Sequence, residues 1–463
     1  MAHPRMTPPP DNPGKRSGMR RELARTAKLA APLAAGHVST GLIGFVDSVL
    51  AGRHGTATLA SVAIGTAMFW LPMMIPMGTL MALPPTVSQM DGAGRRDAIG
   101  PVFRQALWLA LGLGLLMLCL LTWLPLALAP MGIAPEIRPG AIDFLHGIRW
   151  GVPALTLYLA MRYLCDGLHW SLPTMLFGFG GLMVLLPTGY VLAFGRLGFP
   201  EMGAAGLGIA SSLMMWAQAL GFLAYLARSR RFAALGLFAR FEMPDRAAIS
   251  GLLKTGLPIG VTVAMEGGLF IATALLIGRL GAIPAAAHQI AINVASLCFM
   301  VPFGIAEATT VRIGHALGRG DREAILRAAK AGLCLVLATQ ALSATLLVVG
   351  NAAVVGLYTH DAAVAALAAT LLLYAAAFQF PDGVQVLSAG ALRGLKDTRV
   401  PMGLAALAYW IIGMPLGAGL GLGLGMGPQG MWLGLIAGLC CAAVLLAGRF
   451  MRSARRIRPG PEA

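Results

Sequence analysis

Residues 32–55 read PLAAGHVSTGLIGFVDSVLAGRHG, and residues 258–281 read PIGVTVAMEGGLFIATALLIGRLG. Each stretch carries one acidic residue, Asp47 in the first and Glu266 in the second, and each ends on a Gly-Arg-x-Gly sequence. An apolar run of this length crosses the roughly 30 Å of hydrocarbon in a bilayer when it is helical. The two stretches predict membrane-crossing helices, and their likeness predicts a duplicated fold.

The composition of the whole chain extends this prediction. Of its 463 residues, 57% are hydrophobic and 12% are charged, and the mean hydropathy is +0.75; this is more apolar surface than a soluble core can bury. The 60 glycines and 29 prolines are compatible with helices in a membrane, where neighbouring helices satisfy freed backbone groups. We therefore predict an all-α polytopic membrane protein with 12 transmembrane helices. The predicted spans are 29–50, 58–83, 105–129, 141–163, 172–194, 204–226, 252–277, 286–309, 328–350, 362–390, 401–424 and 429–448.

The duplication extends well beyond the first helix of each half. A shift of 226 residues places 32–99 on 258–325 without a gap, and 18 of the 68 pairs are identical. Many identities are glycine or proline, as expected if two copies share one backbone. We expect two pseudo-symmetric six-helix lobes, related by an axis along the membrane normal, around a central cavity. The predicted parts are a disordered cytoplasmic tail (1–15), an N-terminal lobe (16–231), a linking cytoplasmic loop (232–250), a C-terminal lobe (251–450) and a basic cytoplasmic tail (451–463).

The distribution of positive charge predicts the orientation. With these spans, 30 of the 35 Lys and Arg residues fall on the face that carries both termini, which makes that face cytoplasmic by the positive-inside rule. A basic cytoplasmic face suits anionic membrane lipids, so the net charge of +16 does not indicate a nucleic-acid partner. The Arg-rich loop at about 228–250 lacks apolar periodicity, and we expect it to tolerate insertions better than the paired loops near Gly94 and Gly320.

Three acids inside apolar spans are the candidate functional residues: Asp47, Glu266 and Asp382. An ionised carboxylate in a bilayer costs several kcal/mol unless it is protonated, bound to an ion or in contact with water. Glu266 lies 12 residues beyond Lys254, and Asp382 lies 11 residues before Arg393, so both sit about 16–18 Å along a helix from the cytoplasmic boundary. At matching depth in one half, they are expected to converge and share one cation.

Several stretches resemble the multidrug and toxic compound extrusion (MATE) transporters, and most closely their NorM-like bacterial branch. The similar stretches are FVDSVLAGRHG (45–55), LPIGVTVAMEGGLF (257–270), AAAHQIAINVASLCFMVPFGIAEATTVRIGHALGRGD (285–321), FQFPDGVQVLSAGALRGLKD (378–397) and GPQGMWLGL (427–435). The resemblance implies a two-lobe exporter of cationic or amphipathic drugs in the cell inner membrane, which works by alternating access in exchange for Na⁺ or H⁺. It also implies that Asp47, Glu266 and Asp382 are the ion-coupling acids, with no further cofactor. We expect a monomer.

The choice of ion stays open at the level of the sequence. Pro381 removes the helical hydrogen bond to the carbonyl of Ala377, and this freed carbonyl is a candidate ligand, with Glu266 and Asp382, in a Na⁺ site. Asp47 lies six residues before Arg53, and its repeat mate is a threonine, so each half carries its own chemistry. A proton needs a single carboxyl group, so we favour H⁺ coupling with Asp47 as the first candidate for the proton.

Weaker signals mark candidate cavity residues. Gln289 and Asn293 share a helical face, while Trp70 and Phe378 offer aromatic surface to flat drugs. In the fifth span, Leu185 and Thr188 stand where many NorM-like proteins carry Asn, which leaves the substrate profile open.

The six cysteines lack metal spacing, and neither a P-loop nor a nucleophile elbow is present. The alternative functions are a lipid-linked oligosaccharide flippase of the same superfold, which would want a cationic cavity, and a passive channel, which would not need acids at separate depths.

Overall fold

A computed structural model describes residues 15–457, with side chains described from residue 18. The described residues form helices joined by short loops. The predicted disordered tail lies outside the described residues except for Lys15, which begins the first helix, and residues 458–463 of the basic tail also lie outside them. The rest of that tail is helical as far as Arg456.

The N-terminal lobe contains eight helices, two pairs of which each make one crossing. Its crossings are α1 (Lys15–His54), α2 (Thr56–Leu80) continued by α3 (Leu83–Gly92), α4 (Ile99–Trp123), α5 (Arg138–Ile148) continued by α6 (Val152–Gly167), α7 (Leu172–Ala193) and α8 (Gly203–Arg228).

The C-terminal lobe repeats this plan with one short extra helix. It contains α9 (Arg246–Gly278), α10 (Ala282–Gly318), α11 (Arg322–Val349), the short α12 (Asn351–Tyr358), α13 (Ala362–Gly394), α14 (Arg399–Ala406), α15 (Met414–Ala418) and α16 (Pro428–Arg456). Wider π-helical turns at 407–413 and 419–423 join α14 and α15 into one crossing.

Twelve crossings in two lobes confirm the predicted architecture of a multi-pass membrane protein. Eleven helical stretches of the described chain are long and apolar enough to cross a bilayer. The remaining crossing, α5–α6, carries Arg162 and Asp166, and every residue of α6 except Leu157 is buried. Because neighbouring helices cover α6, its charged residues are kept away from lipid.

Each lobe has its own buried apolar core, and the lobes meet where α2 crosses α9 and where α1 crosses α10. At the first crossing, a Cβ added to Gly78 would lie 2.5 Å from the Cα of Gly260. At the second, a Cβ added to Gly304 would lie 2.7 Å from the backbone nitrogen of Ala34. Gly78 and Gly304 are repeat mates, as are Ala34 and Gly260, so the duplicated sequence makes two equivalent close crossings.

The chain between the lobes is packed rather than loose. Leu235 and Leu237 are buried in the N-terminal core, and Arg104 of α4 donates hydrogen bonds to the carbonyls of Gly236 and Leu237. The sequence did not indicate this docking, because apolar periodicity does not register residues that pack singly against a neighbouring helix, and the tolerance of this loop to insertions stays a prediction.

Candidate functional site

A cavity of about 500 Å³ lies between the two lobes. Helices of both lobes line it, mainly with apolar and aromatic side chains that include Trp70 and Phe378, two of the predicted cavity residues. Its acidic lining residues are Glu266 and Asp382, which the sequence predicted to converge. The cavity therefore combines an adaptable apolar wall with two carboxyl groups on one side.

Asp47 occupies a second cavity, of about 400 Å³, which shares His37, Trp70 and Phe303 with the first. Its side chain is 7% exposed, and one carboxyl oxygen accepts a hydrogen bond of 3.3 Å from the hydroxyl of Ser211. The other oxygen is buried without a hydrogen-bond partner in the described chain. The structure thus separates Asp47 from the other two acids, in line with its different depth in the sequence.

Glu266 and Asp382 lie within electrostatic reach of each other and of Tyr409, on the side of the cavity that the C-terminal lobe forms. The π-helical turn 407–413 holds Tyr409 and Trp410, and the indole of Trp410 donates to the carbonyl of Met265, next to Glu266. The Tyr409 hydroxyl and one oxygen of Asp382 are buried with no hydrogen-bond partner among the described residues. Unpaired buried oxygens of this kind are ready acceptors for a proton or a desolvated cation.

One expectation about this site is wrong. Ala377 is exposed and lines a separate groove with Phe380 on the outside of the lobe, so its carbonyl is not a ligand beside Asp382. Arg393 lies at the end of α13, where its side chain is 8% exposed and contacts the sulfur of Met81 in the opposite lobe. The rotation of α13 against its neighbours decides that Ala377 faces outward and Arg393 faces the other lobe, and the sequence does not specify this rotation.

Gln289 and Asn293 do share a face of α10, and the Gln289 amide donates to Asn293 at 3.0 Å. Both are exposed and neither lines the two cavities. Ser296, one turn further along the same stripe, lines both cavities. The structure therefore places the pair toward the face opposite the termini, beyond the cavity wall.

A buried layer of charge lies between the cavity and the terminal face, defined here as the side on which α1 begins and α16 ends. Glu307 of α10 lies 2.8 Å from a ring nitrogen of His37 and 3.6 Å from the guanidinium of Arg162. Arg162 also pairs with Asp166 at 3.4 Å. Sequence reasoning left His37 and Glu307 unassigned and did not single out Arg162. A charged residue within an apolar span is the signal that could have identified each of them.

Further contacts between the lobes lie nearer the terminal face. Arg312 pairs with Glu22 at 2.7 Å, and the ring of His315 packs edge-on against His169 at 5.0 Å between centroids. His169 belongs to the loop between α6 and α7, where burial lowers its pKa from 6.5 to about 3. The positive charges that lower this pKa further are those of His315, Arg312 and Arg319. In this half of the molecule, ion pairs and hydrogen bonds join the lobes at His37–Glu307, Glu22–Arg312, Asp91–His315 and Gln89–Gly394.

The arrangement is an apolar cavity with two carboxyl groups on its wall. The charged layer formed by His37, Arg162, Asp166 and Glu307 lies on one side of it. In the charged layer Glu307 contacts His37 and Arg162, and Arg162 also contacts Asp166, whereas Glu266 and Asp382 have no cationic side chain in hydrogen-bond contact within the described chain. Buried acids without such a partner are candidates to bind a proton or a cation.

Comparison with known proteins gives the same repeat. The MatE family model matches residues 32–191 and again residues 258–418, two copies in the register of the internal duplication. The chain is 65% identical to a "Probable multidrug resistance protein NorM" of Xanthomonas campestris, over 98% of this chain and 99% of that protein. It is 43% identical to "Multidrug resistance protein PmpM" of Pseudomonas aeruginosa, over 95% of this chain and 93% of that protein.

Solved structures share the fold. The eukaryotic MATE transporter AtDTX14 superposes with a TM-score of 0.84 over 95% of this chain and all of that one. A MATE family transporter described in an outward-facing conformation superposes with a TM-score of 0.85 over 96% of this chain and 99% of that one. Both are 18% identical to this chain. The predicted resemblance, including its NorM-like character, is confirmed: the chain belongs to the MatE family of membrane transporters.

Proposed function

We propose that the chain is a secondary active multidrug antiporter of the cell inner membrane. It exports cationic or amphipathic compounds by alternating access, with both termini in the cytoplasm, in exchange for H⁺ or Na⁺. Its family is one of transporters rather than enzymes, as the sequence predicted. Relatives that carry the name multidrug resistance protein over nearly the full chain support the drug-efflux part of the proposal.

The observation that carries the proposal is the position of Glu266 and Asp382 on the wall of the large apolar cavity. A hydrophobic cation is stabilised there by aromatic surface, through Trp70 and Phe378, and by negative charge on the acids. An ion that neutralises the acids removes that attraction. Drug and ion therefore compete, and this competition is the thermodynamic basis of exchange.

The charged layer around Glu307 determines which side of the cavity is closed in the described state. With the termini in the cytoplasm, the described state is closed on the cytoplasmic side, and the cavity lies on the outer side of the charged layer. Export requires that the lobes also adopt a state in which this layer separates. Differential binding of drug and ion to the two states then drives the cycle.

H⁺ is the coupling ion that we favour. A Na⁺ ion takes several oxygen ligands at short range, and the loss of the Ala377 carbonyl leaves the two carboxylates and the Tyr409 hydroxyl. A proton needs one carboxyl group, and Asp47, Glu266 and Asp382 each supply one. The acidic character of the exchangeable groups also favours cationic cargo over the anionic pyrophosphate of the alternative flippase.

Proteoliposomes test the proposal. Ethidium transport is measured with an imposed pH gradient, and separately with a Na⁺ gradient while an ionophore collapses the pH gradient. Glu266→Gln and Asp382→Asn should abolish transport, whereas the matched Glu323→Gln should retain it because Glu323 is 86% exposed. Wild-type rates in Glu266→Gln would refute the site.

Two further variants divide the roles within the site. Tyr409→Phe keeps the ring and removes the hydroxyl, and it should weaken the apparent affinity for the coupling ion rather than for ethidium. Asp47→Asn should lose transport driven by the pH gradient if Asp47 carries the proton. Robust transport on the Na⁺ gradient alone that persists in Asp47→Asn would overturn the H⁺ assignment and leave coupling to Glu266 and Asp382.

A further inference from the structure

The segment between the lobes, residues 229–245, is fixed along the first turns of α4. Arg104 of α4 donates to the carbonyls of Gly236 and Leu237. The guanidinium of Arg104 also pairs with Glu242 at 2.7 Å. Gln105 donates to the carbonyl of Met243 at 3.0 Å and accepts from the backbone N–H of Asp245 at 2.8 Å. Each of these bonds comes from a residue near the start of a membrane-crossing helix, so the segment has a defined depth.

The span on α4 is predicted to start at residue 105, which sets this depth at the boundary between lipid headgroups and acyl chains. The indole of Trp108 donates to the carbonyl of Glu242 at 2.9 Å. Trp108 lies nine residues into α4, about 14 Å along the helix. The linker therefore runs beside the first turns of a span, where tryptophan and tyrosine typically anchor membrane proteins.

Large apolar side chains of this segment point away from the protein. Phe241 is 78% exposed and Met243 is 73% exposed, although Leu235 and Leu237 on the same segment are buried. The ring of Phe241 packs edge-on against Trp108 at 5.9 Å between centroids, which holds it in a fixed orientation. At this depth, the medium that covers such side chains is the upper part of the acyl layer.

Positive charge surrounds these side chains. Between residues 228 and 246 the chain has five arginines and two acids. Both acids are used within the protein, since Glu242 pairs with Arg104 and Arg240 while Asp245 accepts from the first amides of α9. The arginines are all exposed: Arg228, Arg230, Arg231, Arg240 and Arg246.

We propose that residues 229–245 form an interfacial anchor that binds anionic phospholipid, with Phe241 and Met243 in the acyl layer and the flanking arginines on the lipid phosphates. Charge complementarity and the apolar side chains at acyl depth select a phospholipid over a soluble anion. The anchor holds the junction between the lobes at the bilayer surface. It is a property of this segment that is independent of which drug or ion the cavity takes.

A depth measurement tests the apolar part. The six cysteines are replaced, a spin label is placed at Phe241→Cys, and the full chain is reconstituted in vesicles of phosphatidylcholine and phosphatidylglycerol. The label should be more accessible to oxygen than to a water-soluble nickel complex. A matched label at Arg95→Cys, in the polar loop of the same face, should show the reverse. Equal and full accessibility to nickel at both positions would overturn the proposal.

A lipid-retention measurement tests the charged part. Native mass spectrometry counts the phosphatidylglycerol molecules that remain bound to wild type, to Arg228→Gln/Arg230→Gln/Arg246→Gln and to the control Arg452→Gln/Arg455→Gln/Arg456→Gln. We expect the first triple variant to retain several-fold fewer anionic lipids and the tail variant to resemble wild type. Equal retention in all three proteins would overturn the headgroup assignment, even if the depth result held. Ethidium transport of each variant shows that it is folded.

Discussion

Substitution of Gly256 by alanine should open the terminal face of the protein. A Cβ at this position would lie 2.8 Å from the carbonyl carbon of Thr79, 3.0 Å from its Cα, and closer still to its oxygen. Carbon atoms in ordinary contact are about 3.5–4.0 Å apart, so α2 and α9 would have to separate by about 1 Å. Overpacking of this kind costs about 1–3 kcal/mol. Because the contact joins the two lobes, the cost falls on the closed state and shifts the equilibrium toward the open state by about 5- to 150-fold.

The matched control lies on the same helix. A Cβ at Gly251 would meet no heavy atom within 4 Å, so Gly251→Ala should leave the conformation unchanged. Spin labels at Arg95→Cys and Arg319→Cys, on the terminal-face loops of the two lobes, report the separation by double electron–electron resonance. A new long-distance population is expected in Gly256→Ala alone. Identical distance distributions in the two alanine variants would refute the reasoning.

Two more changes probe the contacts that close the terminal face. Glu307→Gln leaves His37 and Arg162 facing each other without their shared carboxylate, and loss of one member of a buried ion pair should lower the free energy of unfolding by about 3–5 kcal/mol. Thermal unfolding in detergent measures this loss. The exposed Glu323→Gln should lower the free energy of unfolding by less than about 1 kcal/mol. Protonation of His169 favours any state in which the lobes part, because its pKa in the closed state is about 3 against 6.5 when solvated. The closed population should therefore fall as the pH drops below 6.5, and it should fall less in His169→Gln when the same spin-label pair is followed.

The sequence predicted the crossings well because apolar length and a 226-residue repeat leave few alternatives for a chain of this composition. Helix ends were predicted less well. The eighth span, predicted at 286–309, extends from Ala282 to Gly318 in the structure, since helices continue beyond the hydrocarbon into contact with neighbouring helices. The fourth span, predicted at 141–163, is interrupted by a 3₁₀ turn at Arg149–Gly151, which apolar composition does not reveal.

The cavity acids could be predicted because a buried charge is rare in a membrane span, whereas their partners could not. His37 and Glu307 are 270 residues apart in the chain, and only the packing of α1 against α10 brings them together. Tyr409 reaches the acids from a π-helical turn, a local widening that the glycine-rich sequence around it does not specify. The side of a helix that faces its neighbours is set by packing, so the hydrogen bond removed by Pro381 did not show that Ala377 faces the outside of the lobe.

The duplicated sequence repeats the close helix crossings between the lobes but not the acidic residues of the cavity. Gly78 and Gly304 are repeat mates that make the same close crossing in both places, so the two contacts between lobes are mechanically equivalent. The acid Glu266 has Thr40 as its mate, and Glu307 has Met81, so these two acids occur in one copy of the repeat. The partners of Glu307 in the charged layer, His37 and Arg162, belong to the other copy. Arg393 lies within electrostatic reach of both glutamates while its side chain contacts Met81 across the lobe boundary. A change of charge at Glu266 is therefore felt at the contact between Arg393 and Met81, so the cavity acids of the C-terminal lobe and the charged layer, which residues of both lobes form, are electrostatically linked.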